Sequence, residues 1–238
     1  MKKTKRWIAN ILIILMILVG LGLVFNKSIR NILMANKINS YQVSNYDAKT
    51  LAANKKKKAN YDFKQVQSVD FNSVANAQAA QNYPVIGGLA IPDVKINLPI
   101  FNGLDSNLLL FGAGTMKDET MGQGNYSLAS HHVFGMAGAS DLLFSPLTNA
   151  KTGMKIYLTD KTNVYEYTID NIYTVQPEDV AVIDDHEGVK EVTLVTCTDA
   201  EASARIIVHG TLSKTYPFSK ASKTVISAFE MKYNQFQS

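Results

Sequence analysis

The chain has 238 residues, of which 46% are apolar, so it can bury a sizeable core and is not intrinsically disordered. Its formal charge of +4 is divided between two regions: residues 1–60 hold 12 Lys and Arg against one acid, whereas residues 61–238 hold 12 against 19. Because the basic charge lies in the leader, the charge argues against nucleic-acid binding. The single cysteine, Cys197, excludes an intramolecular disulfide scaffold and zinc sites built on CxxC pairs.

The N-terminus contains an uncharged stretch over residues 7–25, WIANILIILMILVGLGLVF, which follows a basic cluster in residues 1–6. As a helix this stretch is roughly 28 Å long, close to the ~30 Å hydrocarbon core of a bilayer. A secretory signal is usually shorter, about 7–15 apolar residues, and ends at a small-x-small cleavage site. No convincing site follows Phe25. We therefore predict a single-pass signal-anchor rather than a cleaved signal peptide, with residues 1–6 cytoplasmic and the rest extracellular.

Residues 26–82 are polar and are predicted to form a mostly helical extracellular linker. Within it, residues 72–82 suggest a short helix capped by Asn72 or Ser73. The run Lys55–Lys58 could contact anionic polymers or lipid headgroups, although a solvated linker face is the favoured interpretation.

From Tyr83 onward, short β-branched and aromatic runs are separated by turn residues. Many short strands with sparse helices favour a mainly β domain over residues 83–238, built as a closed or nearly closed barrel. We also predict a short helix over Asp141–Leu147 and a C-terminal helix over Ala221–Phe236. The predicted strands are Val85–Ile91, Val94–Phe101, Asn125–His131, Met154–Leu158, Val164–Val175, Glu191–Thr198 and Arg205–Leu212.

The lone thiol of Cys197 ends the apolar run VTLVTC, and Arg205 opens the next predicted strand, RIIVHG. Antiparallel strands joined by residues 199–204 would place the two side by side at a sheet rim. The guanidinium keeps its proton, so it could favour a thiolate or hold an oxyanion. The alternatives are a buried, inert cysteine and a surface salt bridge from Arg205 to Asp199 or Glu201.

A cysteine nucleophile needs an acid/base partner, usually histidine. His186 lies in an acidic loop and is predicted to be solvated, and His209 is predicted to be a strand surface or packing residue. His131 and His132 end the predicted strand NYSLASHH, and a strand-to-loop junction suits a catalytic acid/base. Alternation places the two on opposite faces, but spacing alone does not choose between them.

These motifs resemble a known family. The segment TLVTC at 193–197, Arg205 and NYSLASHH at 125–132 are together similar to the sortases, membrane-anchored cysteine transpeptidases of Gram-positive bacteria. YPVIGGLAIPDVKINLPIF at 83–101 resembles the first two strands of the class A (housekeeping) members. The resemblance implies a closed eight-stranded β-barrel with short helices, preceded by an N-terminal transmembrane helix.

The resemblance also implies roles for individual residues. Cys197 would be the nucleophile, the first histidine of the pair the acid/base, and the arginine the group that stabilises the oxyanion. The implied catalytic residues are His131, Cys197 and Arg205, and the implied peptide-groove residues are Ala129, Val195 and Thr196. His132 would be secondary.

The implied activity is cleavage of an LPxTG-type sorting signal between Thr and Gly through a thioacyl-enzyme. The acyl group would pass to an amine of a peptidoglycan precursor, which would anchor surface proteins to the cell wall. The expected partners are therefore LPxTG-bearing secreted proteins, the peptidoglycan-precursor amine and the membrane. Two alternatives stay open: a Cys-His hydrolase without transfer, and a non-enzymatic β-domain that binds wall polymer.

No cofactor is expected, although some class A relatives use calcium. The candidate acids are Asp118 and Glu119 in one loop, and five in the loop before the cysteine strand. Calcium takes about 6–8 oxygen ligands, so two acids in the first loop are few. A solvated acidic loop is therefore favoured over a calcium site. The five acids of the second loop are Glu178, Asp179, Asp184, Asp185 and Glu187.

Overall fold

In the computed structural model, residues 2–62, 83–134 and 138–233 are described, and eight strands close into one barrel in the order β1-β2-β3-β4-β7-β8-β6-β5. Neighbouring strands run antiparallel except β2–β3 and β4–β7, which are parallel. The closed, mainly β fold with short helices is therefore confirmed. The strands are β1 (Val85–Ile91), β2 (Ile96–Phe101), β3 (Ala113–Thr115), β4 (Asn125–Ala129), β5 (Lys155–Thr159), β6 (Asn163–Val175), β7 (Glu191–Cys197) and β8 (Arg205–Pro217).

The eighth strand was missed because β3 has only three residues, AGT, which are too few to show an alternating pattern. Strand β2 begins two residues later than expected. Its start is delayed because Pro92–Val94 form a 3-10 turn that ends at Lys95 in the left-handed conformation (φ 58°). The parallel β4–β7 pairing brings the end of β4 beside the end of β7. That edge of the barrel carries the predicted site.

The N-terminal part of the chain is helical, with α1 over Lys2–Val24, α2 over Asn26–Tyr41 and α3 over Ala48–Lys55. By length and composition α1 can cross a membrane. The end of α2 packs on the barrel, where Met34, Ile38 and Tyr41 are buried. The ring of Tyr41 meets Phe101 of β2 edge-on, with 5.3 Å between ring centroids. The division of the chain at residue 83 stays a prediction, and the helix expected over 72–82 lies outside the described residues.

Two other helices belong to the barrel domain, α4 over Ser106–Leu109 and α5 over Lys223–Glu230. The α5 helix begins at Ser222, whose side chain accepts a hydrogen bond from the Val225 N–H, and it ends before the expected Phe236. The helix predicted over Asp141–Leu147 is wrong. Two 3-10 turns, Ala139–Asp141 and Ser145–Asn149, take its place, because Leu143 between them has a positive φ of 50° that interrupts a helix.

Candidate active site

The ends of β7 and β8 bring Cys197 and Arg205 together, since the two residues are direct partners in the antiparallel register. Arg205 Nη1 donates to the carbonyls of Ala202 (2.8 Å) and Ala204 (3.1 Å), which fixes the guanidinium against its own loop. Among the described residues the ion pairs do not include Arg205. The predicted juxtaposition is therefore confirmed, and the alternative of a surface salt bridge is wrong.

The loop between these strands is closed by Asp199. Its carboxylate accepts hydrogen bonds from the Ser203 N–H (2.9 Å), the Thr198 hydroxyl (2.9 Å) and the Ser203 hydroxyl. These bonds keep Asp199 occupied within the loop. The guanidinium of Arg205 is thus left beside Cys197 without a carboxylate ion-pair partner within the described parts of the chain.

His131 is the second residue after the end of β4 and is held by the backbone around it. Its neighbour Ser130 donates from its N–H to the Val195 carbonyl (3.3 Å) and accepts at its own carbonyl from the Thr196 hydroxyl (2.9 Å). The carbonyl of His131 accepts from the Phe144 N–H at 3.0 Å. The histidine backbone is therefore fixed to the end of the same strand that carries Cys197.

One cavity of about 410 Å³ is lined by His131, Cys197 and Arg205 together. The residues proposed for the peptide groove, Ala129, Val195 and Thr196, line the same cavity. The cavity is mostly apolar because aliphatic and thioether side chains from several parts of the chain complete it. These side chains include Leu104, Leu109, Met116, Val182, Ile183 and Ile207.

The imidazole of His131 is buried, and its Nε2 has no hydrogen-bond partner among the described residues. Burial without a counter-charge disfavours the imidazolium and lowers the pKa of His131 to about 4. At neutral pH the ring is therefore uncharged. It can accept a proton at Nε2 or donate one, depending on its tautomer.

Cys197 is partly exposed, so the alternative of a fully buried, inert cysteine is wrong. Burial raises the pKa of the Cys197 thiol, Arg205 opposes that rise, and Asp199 adds to it. The resting site consequently pairs a protonated thiol with a neutral imidazole in one mostly apolar cavity. Such a thiol becomes a nucleophile when its proton is transferred to a base during the reaction.

Comparisons with known proteins agree with this geometry. Residues 89–213 match the sortase domain family. A sortase A from Streptococcus agalactiae is 56% identical over 233 residues, which cover 97% of this chain and 93% of that protein. A sortase A from Listeria monocytogenes is 37% identical over 212 residues, covering 87% and 92%. The crystal structure of a Listeria monocytogenes sortase A, 38% identical, covers 62% of this chain and 99% of its own with a TM-score of 0.56.

The chain belongs to the sortase family. It is accordingly a cysteine transpeptidase that anchors LPxTG proteins to the cell wall. The apolar N-terminal helix α1 is consistent with the membrane anchoring of a sortase.

The second histidine of the pair has a different position in this sortase. His132 is not among the residues that line the cavity, and its Nδ1–H donates to the carbonyl of Cys197 at 2.7 Å. Its ring stacks on Phe134 with centroids 4.0 Å apart. The strand predicted over Asn125–His131 ends two residues earlier, at Ala129, so both histidines follow the strand rather than belong to it. His132 holds the backbone at Cys197. Sequence analysis did not predict that contact, because the contact joins residues 65 positions apart.

The remaining two histidines of the sortase lie at the far end of β7 and β8. His209 Nε2 contacts Glu191 at 2.5 Å and its Nδ1 contacts Asp170 at 2.6 Å. His186 is largely exposed, as predicted, but its Nδ1 also meets Glu191 at 2.6 Å. Neither histidine lines the Cys197 cavity.

The acids considered for calcium are largely occupied by other partners. Lys117 Nζ lies 2.7 Å from Asp185 and 2.7 Å from the Ile183 carbonyl, while Asp118 pairs with Lys55 at 3.2 Å. Glu119 is buried and accepts from the Ser127 N–H and hydroxyl at 2.9–3.0 Å. The ammonium of Lys117 thus occupies the Asp185 carboxylate and the Ile183 carbonyl, and the described part of the chain holds no group of three or more His, Cys, Asp or Glu residues that could bind a metal ion.

Sequence analysis missed one part of the cavity. Tyr61 and Asp62 line it, although both lie in the segment predicted as a linker. Their composition and spacing gave no signal for this position.

Proposed function

We propose that Cys197 is the nucleophile of this sortase, that His131 is its general acid and base, and that Arg205 stabilises the oxyanion. The observation that carries the proposal is the single cavity that the three side chains share, with Cys197 and Arg205 opposed across β7 and β8. The neutral resting state of His131 supports a base that takes the thiol proton at Nε2. Ala129, Val195 and Thr196 would line the peptide groove.

The first half-reaction begins when an LPxTG-type signal enters the apolar cavity. The Cys197 thiol transfers its proton to His131 Nε2 as its sulfur attacks the Thr carbonyl carbon. Charge then develops on the carbonyl oxygen, where the fixed guanidinium of Arg205 offers N–H donors. The tetrahedral intermediate collapses as His131 protonates the leaving Gly amine, which leaves a thioester between Cys197 and the Thr carbonyl.

The second half-reaction uses the same residues in reverse. An amine of a peptidoglycan precursor attacks the thioester, His131 accepts the amine proton, and the thiolate of Cys197 leaves and is reprotonated. Transfer rather than hydrolysis requires that the cavity exclude water until the amine arrives, and its apolar lining supports that exclusion.

The proposed placement follows from the leader. Residues 1–6 would lie in the cytoplasm, residues 7–25 would cross the membrane once, and the barrel would face the outside. Enzyme, membrane-retained substrate and lipid-linked amine would then meet at one surface, which raises their effective concentration.

The test is product analysis by mass spectrometry. The full-length protein in detergent micelles is incubated with an LPxTG peptide, with and without triglycine. A transpeptidase gives a ligated product with triglycine that disappears in Cys197→Ala. Free acid alone in the presence of triglycine would indicate a hydrolase, and no turnover at all would indicate a non-enzymatic domain.

A further inference from the structure

One wall of the Cys197 cavity comes from the chain upstream of the barrel. Tyr61 and Asp62 line the cavity, yet they lie 28 and 27 positions before Leu89, where the match to the sortase domain family begins. The barrel alone therefore does not complete the cavity.

This upstream segment is held on the barrel by Asn102, which is itself buried. The Nδ2 of Asn102 donates to the carbonyls of Lys55 (3.1 Å) and Lys57 (3.0 Å), and its Oδ1 accepts from the Tyr61 hydroxyl at 3.4 Å. One side-chain amide thus holds the segment at three points. Asn54 adds a fourth, since its Nδ2 donates to the Val85 carbonyl at 2.9 Å.

The backbone of the upstream segment also packs closely against the barrel near Asn102. The Leu104 N–H donates to the Asn60 carbonyl at 2.6 Å, and Leu104 itself lines the cavity. Gly103 has a φ of +99°, and a Cβ there would lie 2.5 Å from the Asn60 carbonyl oxygen. The chain at residue 60 therefore lies directly against the 102–104 backbone, which fixes where Tyr61 can project.

The chemistry of Tyr61 suits contact with a peptide. Its ring is partly buried beside the apolar wall that includes Leu104, Leu109 and Met116. Burial and the nearby carboxylates Asp118 and Glu119 raise the pKa of the phenol, so it stays uncharged. A tethered tyrosine offers a large apolar face with little conformational entropy left to lose on binding.

We propose that Tyr61 is a substrate-binding residue of this sortase, and that its ring packs against the sorting peptide while Asn102 holds it in position. This inference rests on the proposed function, because it assumes that the peptide occupies the Cys197 cavity. It extends the binding surface to a residue outside the domain that the family match covers.

The experiment compares the full-length protein with four variants: Tyr61→Ala, Tyr61→Phe, Asn102→Asp and the control Tyr46→Ala. Tyr46 is a partly buried tyrosine of the same upstream segment that does not line the cavity. In Tyr61→Ala we expect KM for an LPxTG peptide to rise ~10-fold, with kcat changed less than about threefold. Tyr61→Phe keeps the ring and should stay within about twofold, whereas Asn102→Asp loses both donors and should raise KM in the same direction.

A peptide scan distinguishes direct contact between Tyr61 and the peptide from an indirect, structural role of Tyr61. Alanine is placed at each position of the signal and at the residues before it, and the Tyr61→Ala effect should vanish at the one position that touches the ring. Thermal unfolding of each variant reports whether the fold is retained.

Three results would overturn the inference while leaving the transpeptidase intact: a KM for Tyr61→Ala within twofold of wild type, an equal rise in Tyr46→Ala, or an effect uniform across the scan. If the wild-type protein itself processes no LPxTG peptide, the proposed function fails, and the role of Tyr61 fails with it.

Discussion

Ionisable groups lie at or beside both ends of the β7–β8 pair. They are paired with one another at one end but not at the other. At the far end, buried Glu191 contacts two histidines, and one of these, His209, is also bound by Asp170. At the cavity end, His131 is buried with Nε2 unpartnered among the described residues, and Arg205 bonds only backbone carbonyls there. The ionisable groups at the far end join strands, whereas we propose that those at the cavity end act on a substrate.

The electrostatic consequences differ in sign. Contacts with Asp170 and Glu191 raise the pKa of His209 despite its burial, so the imidazolium is stabilised there. Burial alone lowers the pKa of His131 to about 4. Histidine is therefore paired and structural at the far end, whereas at the cavity end, where its Nε2 has no partner among the described residues, we propose that it is reactive.

The largest expected effect tests the cavity end by comparing adjacent histidines. His131→Gln should lower kcat ~10²–10⁴-fold, because the site loses its acid and base. His132→Gln removes the bond to the Cys197 carbonyl and the ring contact with Phe134, both outside the cavity, and should cost about tenfold or less. Steady-state kinetics with an LPxTG peptide and triglycine measure both. Equal losses in the two variants would contradict the assignment.

The stability of His131→Gln gives a second comparison. The folded pKa of His131 is about 4 against an ordinary value of 6.5, so the unfolded chain takes up a proton first as the pH falls. This group therefore costs stability progressively from about pH 6.5 to pH 4. Chemical denaturation at pH 7 and pH 5 should show a smaller acid loss in the variant than in wild type.

The next effect tests the far end. His209→Ala leaves Glu191 buried with one cationic partner fewer, and we expect a loss of about 3–5 kcal/mol in the free energy of unfolding. Because the folded pKa of His209 is raised, its contribution is full below the unfolded pKa and is lost as the pH rises through the folded pKa. The free energy of unfolding, measured by denaturation at several pH values across that range, should depend less on pH in the variant. Unchanged stability, or a loss of kcat in the folded protein, would contradict a purely structural role.

Glu119 is a third buried ionisable group. It is buried like Glu191, but its direct partner is Ser127 rather than a cation. Burial raises the pKa of Glu119 to about 8 from an ordinary 4.5. The folded protein then holds a proton that the unfolded chain has lost, so stability falls as the pH rises from about 4.5 to 8. Glu119→Gln should remove this fall, gaining roughly 1–3 kcal/mol relative to wild type between pH 5 and pH 8.5. Parallel pH curves for the two proteins would show that Glu119 ionises normally.

The smallest effect concerns Lys117, whose ammonium joins Asp185 and the Ile183 carbonyl. This partly exposed ion pair should contribute about 0–1 kcal/mol to stability. Lys117→Met should raise KM for the peptide a few-fold, because Ile183 lines the cavity. Steady-state kinetics of the variant and the wild-type protein measure this rise in KM. Added calcium should leave the activity of the wild-type protein unchanged, and a clear increase would contradict the assignment of these oxygens to Lys117.

The site could be predicted as far as its parts are local in sequence. Cys197 and Arg205 belong to one strand-loop-strand unit, so their register followed from antiparallel pairing. His131 was singled out by its place at a strand end and by the family resemblance. The bond from His132 to Cys197 and the position of Tyr61 depend on closure of the barrel, which joins residues distant in sequence, and no local pattern records them.

The fold, too, was predictable where the signal is local in sequence and not where it depends on other features. Strands β1 and β7 were predicted within a residue. The prediction for β2 began two residues too early, that for β8 ended five residues too early, at Leu212, and β3 is too short to carry a pattern. The 3-10 turns around Leu143 were predicted as a helix because periodicity does not record a positive φ. Local chemistry therefore determined most of the site, and long-range packing determined its walls.

In the proposed mechanism Cys197 carries the acyl group between the two half-reactions. The most direct measurement is intact-protein and peptide mass spectrometry after rapid acid quenching of full-length protein with an LPxTG peptide, first without and then with triglycine. We expect an adduct on Cys197 that ends at the Thr carbonyl and is discharged by triglycine into ligated peptide. An adduct on another residue, or product formation by Cys197→Ala, would contradict it.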